Sequence, residues 1–490
     1  MASPVSIFAT ATEMSAALAA KQVSAVELAQ DVIAQIERHD GDVNAVCVRT
    51  FERGLAAAKA ADAALARGER KPLLGIPMTV KESFNVANTP TTWGFPAQKD
   101  FIAPEDALAI TRVSDAGAVI LGKTNVPISL ADWQSYNDIY GTTGNPYDLG
   151  RTPGGSSGGS SAALAAGYGA LSLGSDIGGS LRVPGHYCGI YAHKPTFALV
   201  PSRGHIAPGL PPLPPTRDLS VIGPMARSAA DLSLTLDVIA GPDPWHEGVA
   251  YKLELPAPRH KAIKDFRILV LDTHPQIATS ADVRNAVAAL ATNLGKLGAG
   301  ISHESALLPD LAQTSGLYMR MLVAVMAAAM PPAEIAAARE RFTKLDPNDH
   351  SPAAERLRGA VATHTAWLAD DSARNRLRAQ WRALFREFDA VICPVMPTPA
   401  YPHDHTPDQE QRVIEIDGVK YPYTDQLLWP GIATLPGLPA TAIPTAMSPG
   451  GLPIGVQIIG PWLEDRTPLY LAELIEREFG GFVPPKGFDR

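Results

Sequence analysis

The sequence predicts a layered α/β fold, in which helices cover both faces of a central sheet. One observation is that short apolar runs typical of strands alternate with longer helical patterns along much of the chain. A second is composition, since 46% hydrophobic and 19% charged residues over 490 positions are typical of a globular chain with a sizeable core. A third is the presence of well-marked helix starts in the N-terminal part.

Two capping boxes predict the first helices, at Thr10-x-x-Glu13 and at Ser24-x-x-Glu27. In each box the hydroxyl and the carboxylate can satisfy free N–H groups at a helix start. The second helix is predicted to be amphipathic, with an apolar stripe formed by Leu28, Val32, Ile33 and Ile36. A short strand at 44–48 and an alanine-rich helix ending near Gly68 follow.

Strand and helix patterns then alternate. The predicted strands of the middle part are 73–80, 118–121 and 170–173, and the predicted helices are 106–116, 161–167 and 228–239. One more strand, 266–271, precedes long helices, and the apolar runs 390–393, 440–443 and 454–459 read as strands again. Because these late strands would extend the same sheet, we interpret the intervening residues as a helical insertion.

Charge and cysteine usage narrow the function classes. The net charge of −8 includes no basic stripe, so nucleic acid is not an expected partner. No run approaches 18 uninterrupted apolar residues, and a membrane location is not expected. The spacing of Cys47, Cys188 and Cys393 fits neither a disulfide framework nor a zinc site. We therefore expect a cytoplasmic protein without a bound metal.

Two glycine–serine clusters, residues 154–161 and 174–180, are the most informative feature. A flexible linker is one interpretation of the first cluster, although it lies within α/β alternation rather than between domains. A phosphate-binding loop is disfavoured because no lysine follows the last glycine. A nucleophile elbow is also weak: both Ser156 and Ser157 fit G-x-S-x-G, but the preceding residues read as a loop rather than a strand.

A fourth interpretation combines both clusters with Lys81. Serine needs a base to act as a nucleophile, and lysine can be that base if burial lowers its pKa. Lys81 closes an apolar run, although a solvated strand-end lysine is the alternative. The glycine pair Gly178-Gly179 before Ser180 would let backbone N–H groups converge on an oxyanion.

These segments closely resemble the amidase signature family. The resemblance rests on 154–160, then on Gly174-Ser-Asp-Ile-Gly-Gly-Ser-Leu-Arg-Val-Pro184, and then on 188–189 and 194–196. The blocks 75–82, 122–125 and 451–457 are similar to that family's blocks, in its order. The resemblance spans most of the chain and is weakest in the helical insertion. Departures occur at Gly185-His186-Tyr187 and at Ala192-His193, and they make His186 a further candidate for catalysis or for shaping the pocket.

The resemblance implies an α/β/α sandwich with a central mixed β-sheet and a helical insertion in the second half. It also implies a Ser–cisSer–Lys triad, with Ser180 as nucleophile, Ser156 as the bridging serine before a cis peptide bond, and Lys81 as base. We predict a single amidase domain over 1–490, whose parts are an N-terminal helical part (1–70), the signature core (71–242), the insertion (243–390) and the C-terminal strands and helix (391–490).

Further site residues are implied in the same way. The oxyanion hole would consist of the backbone N–H groups of Ile177, Gly178, Gly179 and Ser180. Supporting positions are Ser157, Asp176 and Arg182. Candidates for lining the substrate pocket are Trp133, Tyr136, Ile139, Tyr140 and Trp429, although ordinary packing is an equal alternative for each.

The expected function is hydrolysis of a small to medium linear carboxamide, with no cofactor. An ester or carbamate hydrolase with the same triad is one alternative, and a glutamine-dependent amidotransferase subunit that passes ammonia to a partner is another. A catalytically silent scaffold is disfavoured because Lys81, Ser156 and Ser180 are all present. The expected partner is a small-molecule amide, a homodimer is among the expected assemblies, and the sequence does not identify the substrate.

Overall fold

The computed structural model describes residues 5–214 and 217–489. The strands are β1 (Val46–Arg49), β2 (Pro77–Lys81), β3 (Val119–Thr124), β4 (Tyr136–Asn137), β5 (Gly141–Thr142), β6 (Leu171–Asp176), β7 (Tyr191–Lys194), β8 (Val221–Ala226), β9 (Arg267–Val270), β10 (Gly300–Ser302), β11 (Ala390–Pro394), β12 (Val413–Ile416), β13 (Val419–Pro422), β14 (Ala440–Met447) and β15 (Pro453–Ile459). The helices are α1 (Ala11–Ala19), α2 (Ala25–Val43), α3 (Phe51–Ala66), α4 (Leu108–Asp115), α5 (Gly158–Ala165), α6 (Arg182–Tyr187), α7 (Ala229–Ile239), α8 (Ala281–Lys296), α9 (Leu311–Ala327), α10 (Pro332–Phe342), α11 (Pro352–Ala360), α12 (His364–Glu387), α13 (Leu428–Thr434) and α14 (Arg466–Phe479).

A single 11-stranded mixed sheet forms the centre of the molecule, in the order β1-β3-β2-β6-β8-β7-β14-β15-β11-β9-β10. Strand β2 runs parallel to both β3 and β6, and β9 runs parallel to β10 and β11. The remaining neighbours in this sheet pair antiparallel. The mixed sheet confirms the predicted α/β class.

Helices cover both faces of this sheet. Successive residues of a strand point to opposite faces, and along β9 Ile268 and Val270 join one apolar cluster while Leu269 joins the other. The first cluster packs under α2, α7 and α14, and the second packs under α9, α12 and α13. The three-layer sandwich follows from this alternation.

The two predicted capping boxes are both present, at Thr10–Glu13 and Ser24–Glu27, so the starts of α1 and α2 are confirmed. The strand predicted over 73–80 begins only at Pro77, because Gly75 has a φ of +82° and turns the chain before it. The helix predicted over 161–167 begins earlier, at Gly158, inside the first glycine–serine cluster.

The segment 243–390 contains α8 to α12 and contributes two strands rather than the predicted one. Both β9 and β10 extend the edge of the central sheet beside β11. The division of the chain into parts remains a prediction. Over the described ranges, no helix has the length and apolar character needed to cross a membrane. All three cysteines are free thiols.

Candidate active site

The predicted triad residues come from three segments that meet at one edge of the sheet. Lys81 is the last residue of β2, Ser156 lies in the loop before α5, and Ser180 lies in the turn of residues 177–181 between β6 and α6, which we call the Ser180 turn. Because β2 and β6 are parallel neighbours, their carboxyl ends lie side by side at the same edge of the sheet. The Ser157 N–H donates to the Ser180 carbonyl at 3.2 Å and joins the two glycine–serine clusters.

Lys81 is fully buried and touches two serines. Its Nζ lies 2.7 Å from Ser156 Oγ and 3.0 Å from Ser175 Oγ. Burial lowers the pKa of Lys81 to about 7, against a smaller opposing effect of the Asp176 carboxylate. An amine with this pKa is substantially neutral near pH 7, so its lone pair can accept a proton.

The loop before α5 brings Ser156 to Lys81. The cis peptide bond joins Gly155 to Ser156, so it precedes Ser156 rather than following it as expected. Gly155 allows this approach, because a Cβ there would lie 2.3 Å from the Asp132 carbonyl oxygen. Ser157 is tied to the end of β6 instead: its Oγ donates to the Ser175 carbonyl at 3.3 Å and accepts from the Ser175 N–H at 3.4 Å.

The Ser180 turn presents unpaired donors. The N–H groups of Ile177, Gly178 and Ser180 have no hydrogen-bond acceptor among residues 5–214 and 217–489, and neither does the Ser180 hydroxyl have a partner there. Gly179 differs from the expectation: its N–H donates to Asp176 Oδ1 at 2.8 Å and is therefore occupied. Three of the four expected oxyanion donors are thus available in this conformation.

A buried ion pair holds this turn. Arg182 binds the Asp176 carboxylate with two bonds of 3.0 Å, and both side chains are fully buried. The same carboxylate accepts from the Gly179 and Leu181 N–H groups. Burial raises the pKa of Asp176, but Arg182 outweighs this and holds the pKa below its ordinary value. Asp176 and Arg182 therefore organise the backbone beside Ser180.

Replacing Gly179 by alanine is expected to distort this turn. Gly179 has a φ of +92°, and a Cβ there would lie 2.7 Å from Val183 Cγ2 and 2.9 Å from Pro430 Cγ. The left-handed backbone alone costs about 1–2 kcal/mol for alanine, and the crowding adds to it. Gly68 has a φ of +85° with no atom within 4 Å, so Gly68→Ala is the matched control. We expect a larger drop in melting temperature for Gly179→Ala, and equal drops would contradict the crowding.

The candidates for lining the pocket separate in the structure. Trp133 lies against the Ser180 turn, where its Nε1–H donates to the Gly178 carbonyl at 2.9 Å. Tyr136 stacks on His405 and accepts from Arg412, whereas the Tyr140 hydroxyl donates to Glu82.

The last two candidates make backbone and core contacts. The Ile139 N–H donates to Asn137 Oδ1. Trp429 is fully buried and donates to Thr279 Oγ1, so it packs in the core rather than on an open pocket.

His186 is a structural link between elements. Its Nε2 lies 2.9 Å from the Thr398 carbonyl oxygen, and its Nδ1 accepts from the Gly455 N–H at 2.7 Å. Nδ1 also lies 2.9 Å from the Gly455 carbonyl oxygen, and burial lowers the pKa of His186 below its ordinary value, which favours the neutral imidazole. Both ring nitrogens are therefore used by backbone groups rather than by Ser180.

Sequence reasoning missed two residues of the site. Ser175, which receives the second Lys81 bond, lies inside the second glycine–serine cluster and directly precedes Asp176. Tyr318, on α9, donates its hydroxyl hydrogen to the Ile177 carbonyl at 2.8 Å. A strand-end hydroxyl beside the turn could have signalled Ser175. In the described part of the chain, no group of three or more His, Cys, Asp or Glu side chains is placed to hold a metal ion.

Comparison with known proteins gives consistent matches along the chain. A family model described as Amidase matches residues 27–469. A Glutamyl-tRNA(Gln) amidotransferase subunit from Koribacter versatilis is 31% identical over 485 residues, covering 94% of this chain and 96% of the relative. The AtzE subunit of 1-carboxybiuret hydrolase from Pseudomonas sp. strain ADP is 34% identical over 461 residues, covering 91% and 94%.

Solved structures are similar to this chain over nearly its whole length, as the relatives are in sequence. An inhibitor-bound vestigial protein complex, described as revealing the evolutionary origins of an s-triazine catabolic enzyme, contains a chain that superposes with a TM-score of 0.81 at 30% identity, covering 98% of this chain and 100% of that one. A bacterial aryl acylamidase of the amidase signature family superposes with a TM-score of 0.78 at 23% identity, covering 97% of each chain, and shows the shared fold.

Proposed function

Because this chain belongs to the amidase signature family, we propose that it hydrolyses a small to medium linear carboxamide to an acid and ammonia or an amine, through an acyl-enzyme on Ser180. The observation that carries the proposal is the buried Lys81 Nζ, 2.7 Å from Ser156 Oγ, beside a turn with unpaired N–H donors. A base and a relaying hydroxyl beside an oxyanion site are the parts that acyl transfer requires.

The first half-reaction forms the acyl-enzyme. As Ser180 Oγ attacks the substrate carbonyl carbon, its proton passes to Ser156 Oγ, and the Ser156 proton passes to neutral Lys81. The negative oxygen of the tetrahedral intermediate accepts from the N–H groups of Ile177, Gly178 and Ser180. The C–N bond then breaks, the proton returns through Ser156 to the leaving nitrogen, and Lys81 is neutral again.

Water completes the cycle by the same relay. It attacks the ester carbonyl while its proton passes through Ser156 to Lys81, and the second tetrahedral intermediate collapses to the acid. The proton on Lys81 then returns to Ser180 Oγ. The Ser180 hydroxyl has no hydrogen bond to Ser156 among the described residues, whereas Ser156 Oγ is bound by Lys81. We therefore expect the Ser180–Ser156 bond to form with substrate bound, as catalytic hydrogen bonds often do.

Labelling with a fluorophosphonate tests the nucleophile. We expect covalent labelling of the intact protein at Ser180, and Ser180→Ala should lose labelling and at least about 10³-fold in kcat on any amide that the wild type cleaves. Ser161→Ala is the matched control, because Ser161 belongs to the same glycine–serine region but donates to the Pro184 carbonyl at 2.6 Å. Labelling of another serine, or full activity of Ser180→Ala, would overturn the mechanism.

A second candidate function comes from the relatives. The Glutamyl-tRNA(Gln) amidotransferase protein is similar over nearly the whole chain, and it and AtzE are both subunits of larger enzymes by name. If this chain were an amidotransferase subunit, glutamine hydrolysis by the isolated protein would be slow and would increase with a partner. A screen of aliphatic, aryl, peptide C-terminal, carbamate and ester substrates, with glutamine included, separates this candidate from an independent amidase or esterase.

A further inference from the structure

Two side chains from other segments donate hydrogen bonds to backbone carbonyl groups of the Ser180 turn. The Tyr318 hydroxyl donates to the Ile177 carbonyl at 2.8 Å, and the Trp133 indole donates to the Gly178 carbonyl at 2.9 Å. In a planar trans peptide the N–H points opposite to the C=O. A donor that fixes the Ile177 carbonyl therefore also fixes the direction of the Gly178 N–H.

The two peptides whose carbonyl groups accept these hydrogen bonds differ in what their N–H groups do. The peptide between Gly178 and Gly179 is held at both ends, because the Gly179 N–H donates to Asp176. The peptide between Ile177 and Gly178 is held only at its carbonyl end, and its N–H has no acceptor among the described residues. The peptide held by Tyr318 is therefore the one whose donor is oriented and free.

Helix α9 holds Tyr318 firmly in this position. The side chain is fully buried, and a Cβ on Gly431 would lie 2.4 Å from its Cδ1, so the ring packs directly on α13. A rigidly packed hydroxyl can keep a carbonyl oriented during a reaction. Hydrogen bonding to the carbonyl also polarises the peptide and strengthens its N–H as a donor.

We propose that Tyr318 is a positioning residue, which orients the Gly178 N–H toward the oxyanion of the tetrahedral intermediate. This inference rests on the proposed amide hydrolysis at Ser180. The helical segment 243–390, which carries α9, thereby completes the oxyanion site even though it contributes none of the triad residues. The hydroxyl is expected to stabilise the transition state through this peptide, because the hydrogen bond from the Gly178 N–H is strongest when the substrate oxygen becomes negative.

Tyr318→Phe removes only the hydroxyl and keeps the packed ring. We expect kcat to fall about tenfold while KM changes less than about twofold, since a misoriented donor is a partial loss of an oxyanion contact. The rate of fluorophosphonate labelling at Ser180 should fall by a similar factor, because its phosphoryl oxygen uses the same donors. Final labelling should stay complete, which shows that the variant is folded.

Tyr168→Phe is the matched control. Tyr168 is a fully buried tyrosine whose hydroxyl has no partner among the described residues, so its removal should leave kcat and the labelling rate unchanged. An unchanged kcat in Tyr318→Phe would overturn the proposal, and so would a rise in KM at constant kcat, which indicates substrate contact instead. If wild-type protein is neither labelled nor active, the proposed function fails, which is a separate result.

Discussion

Replacing Lys81 by methionine is expected to lower kcat/KM by at least about 10³-fold and to abolish the pH dependence of the remaining rate near neutral pH. Methionine fills a similar volume but cannot accept a proton. Lys81 makes the 2.7 Å contact to Ser156, so its removal leaves the relay without a terminal base. The measurement is the pH–rate profile of amide hydrolysis for the wild type and the variant.

The expected profile follows from the pKa of Lys81. Burial lowers this pKa to about 7, and only the neutral amine acts as base. The wild-type rate should therefore fall about tenfold per pH unit well below pH 7 and level off above about pH 8. The pKa of the neighbouring His205 is about 3, because burial and Lys81 both lower it, so its titration does not produce this limb.

Lys123→Met is the control for removing a buried lysine. Lys123 lies on the neighbouring strand β3, and its Nζ donates to the Pro90 carbonyl and, at 2.7 Å, to Thr91 Oγ1, away from both serines. Burial lowers its pKa to about 8. The rate of amide hydrolysis by this variant should still fall below about pH 7, even if the variant is less stable than the wild type. A wild-type profile that stays flat between pH 5 and 9 would show that Lys81 is not the base.

The loss of activity in Lys81→Met should not come from unfolding. Burial lowers the pKa of Lys81 to about 7 in the folded protein, so this lysine opposes folding fully below about pH 7 and progressively less as the pH rises toward its ordinary pKa. Removing an amine that folding must neutralise is expected to leave the melting temperature equal or higher. A catalytic loss without a loss of stability separates the base from a structural residue.

The residues that sequence reasoning found are those with a local signal. Lys81 closes an apolar run that becomes β2, and Ser180 follows a glycine pair whose conformation the turn requires. Tyr318 had no such signal, because it lies 141 residues from Ile177 and reaches it only through the packing of α9. Long-range contacts of this kind depend on tertiary structure rather than on spacing.

The sequence pattern did not predict two central strands, β7 and β8, and there is a physical reason for each. Strand β8 contains Gly223 and Pro224, which usually argue against a central strand. Gly223 is needed there because a Cβ would lie 2.1 Å from the His193 carbonyl oxygen on the neighbouring chain segment. Strand β7 contains His193, and this polar residue interrupts the apolar run by which a buried strand is recognised in a sequence. Its ring is satisfied by Thr441 and Asp465, which the sequence does not place nearby.

Arg182→Met is expected to lower the free energy of unfolding by roughly 3–5 kcal/mol, since it leaves the buried Asp176 carboxylate without its cation. Arg182 also donates to the Pro430 carbonyl, to Gln457 and to Thr434, and these acceptors lose a donor as well. Thermal unfolding and urea midpoints measure the effect, and the rate of fluorophosphonate labelling reports on the Ser180 turn.

An exposed ion pair provides the control. Arg466 lies 3.0 Å from Asp237 at the surface, so Arg466→Met should change stability by less than about 1 kcal/mol. Adding Asp176→Asn to Arg182→Met removes the unpaired charge and should recover part of the lost stability. Labelling at Ser180 should be slower than in the wild type in both variants, and the double variant should not recover it, because an amide oxygen accepts more weakly than a carboxylate from the Gly179 N–H. Recovery of stability and labelling together would mean that the pair balances charge but does not shape the turn.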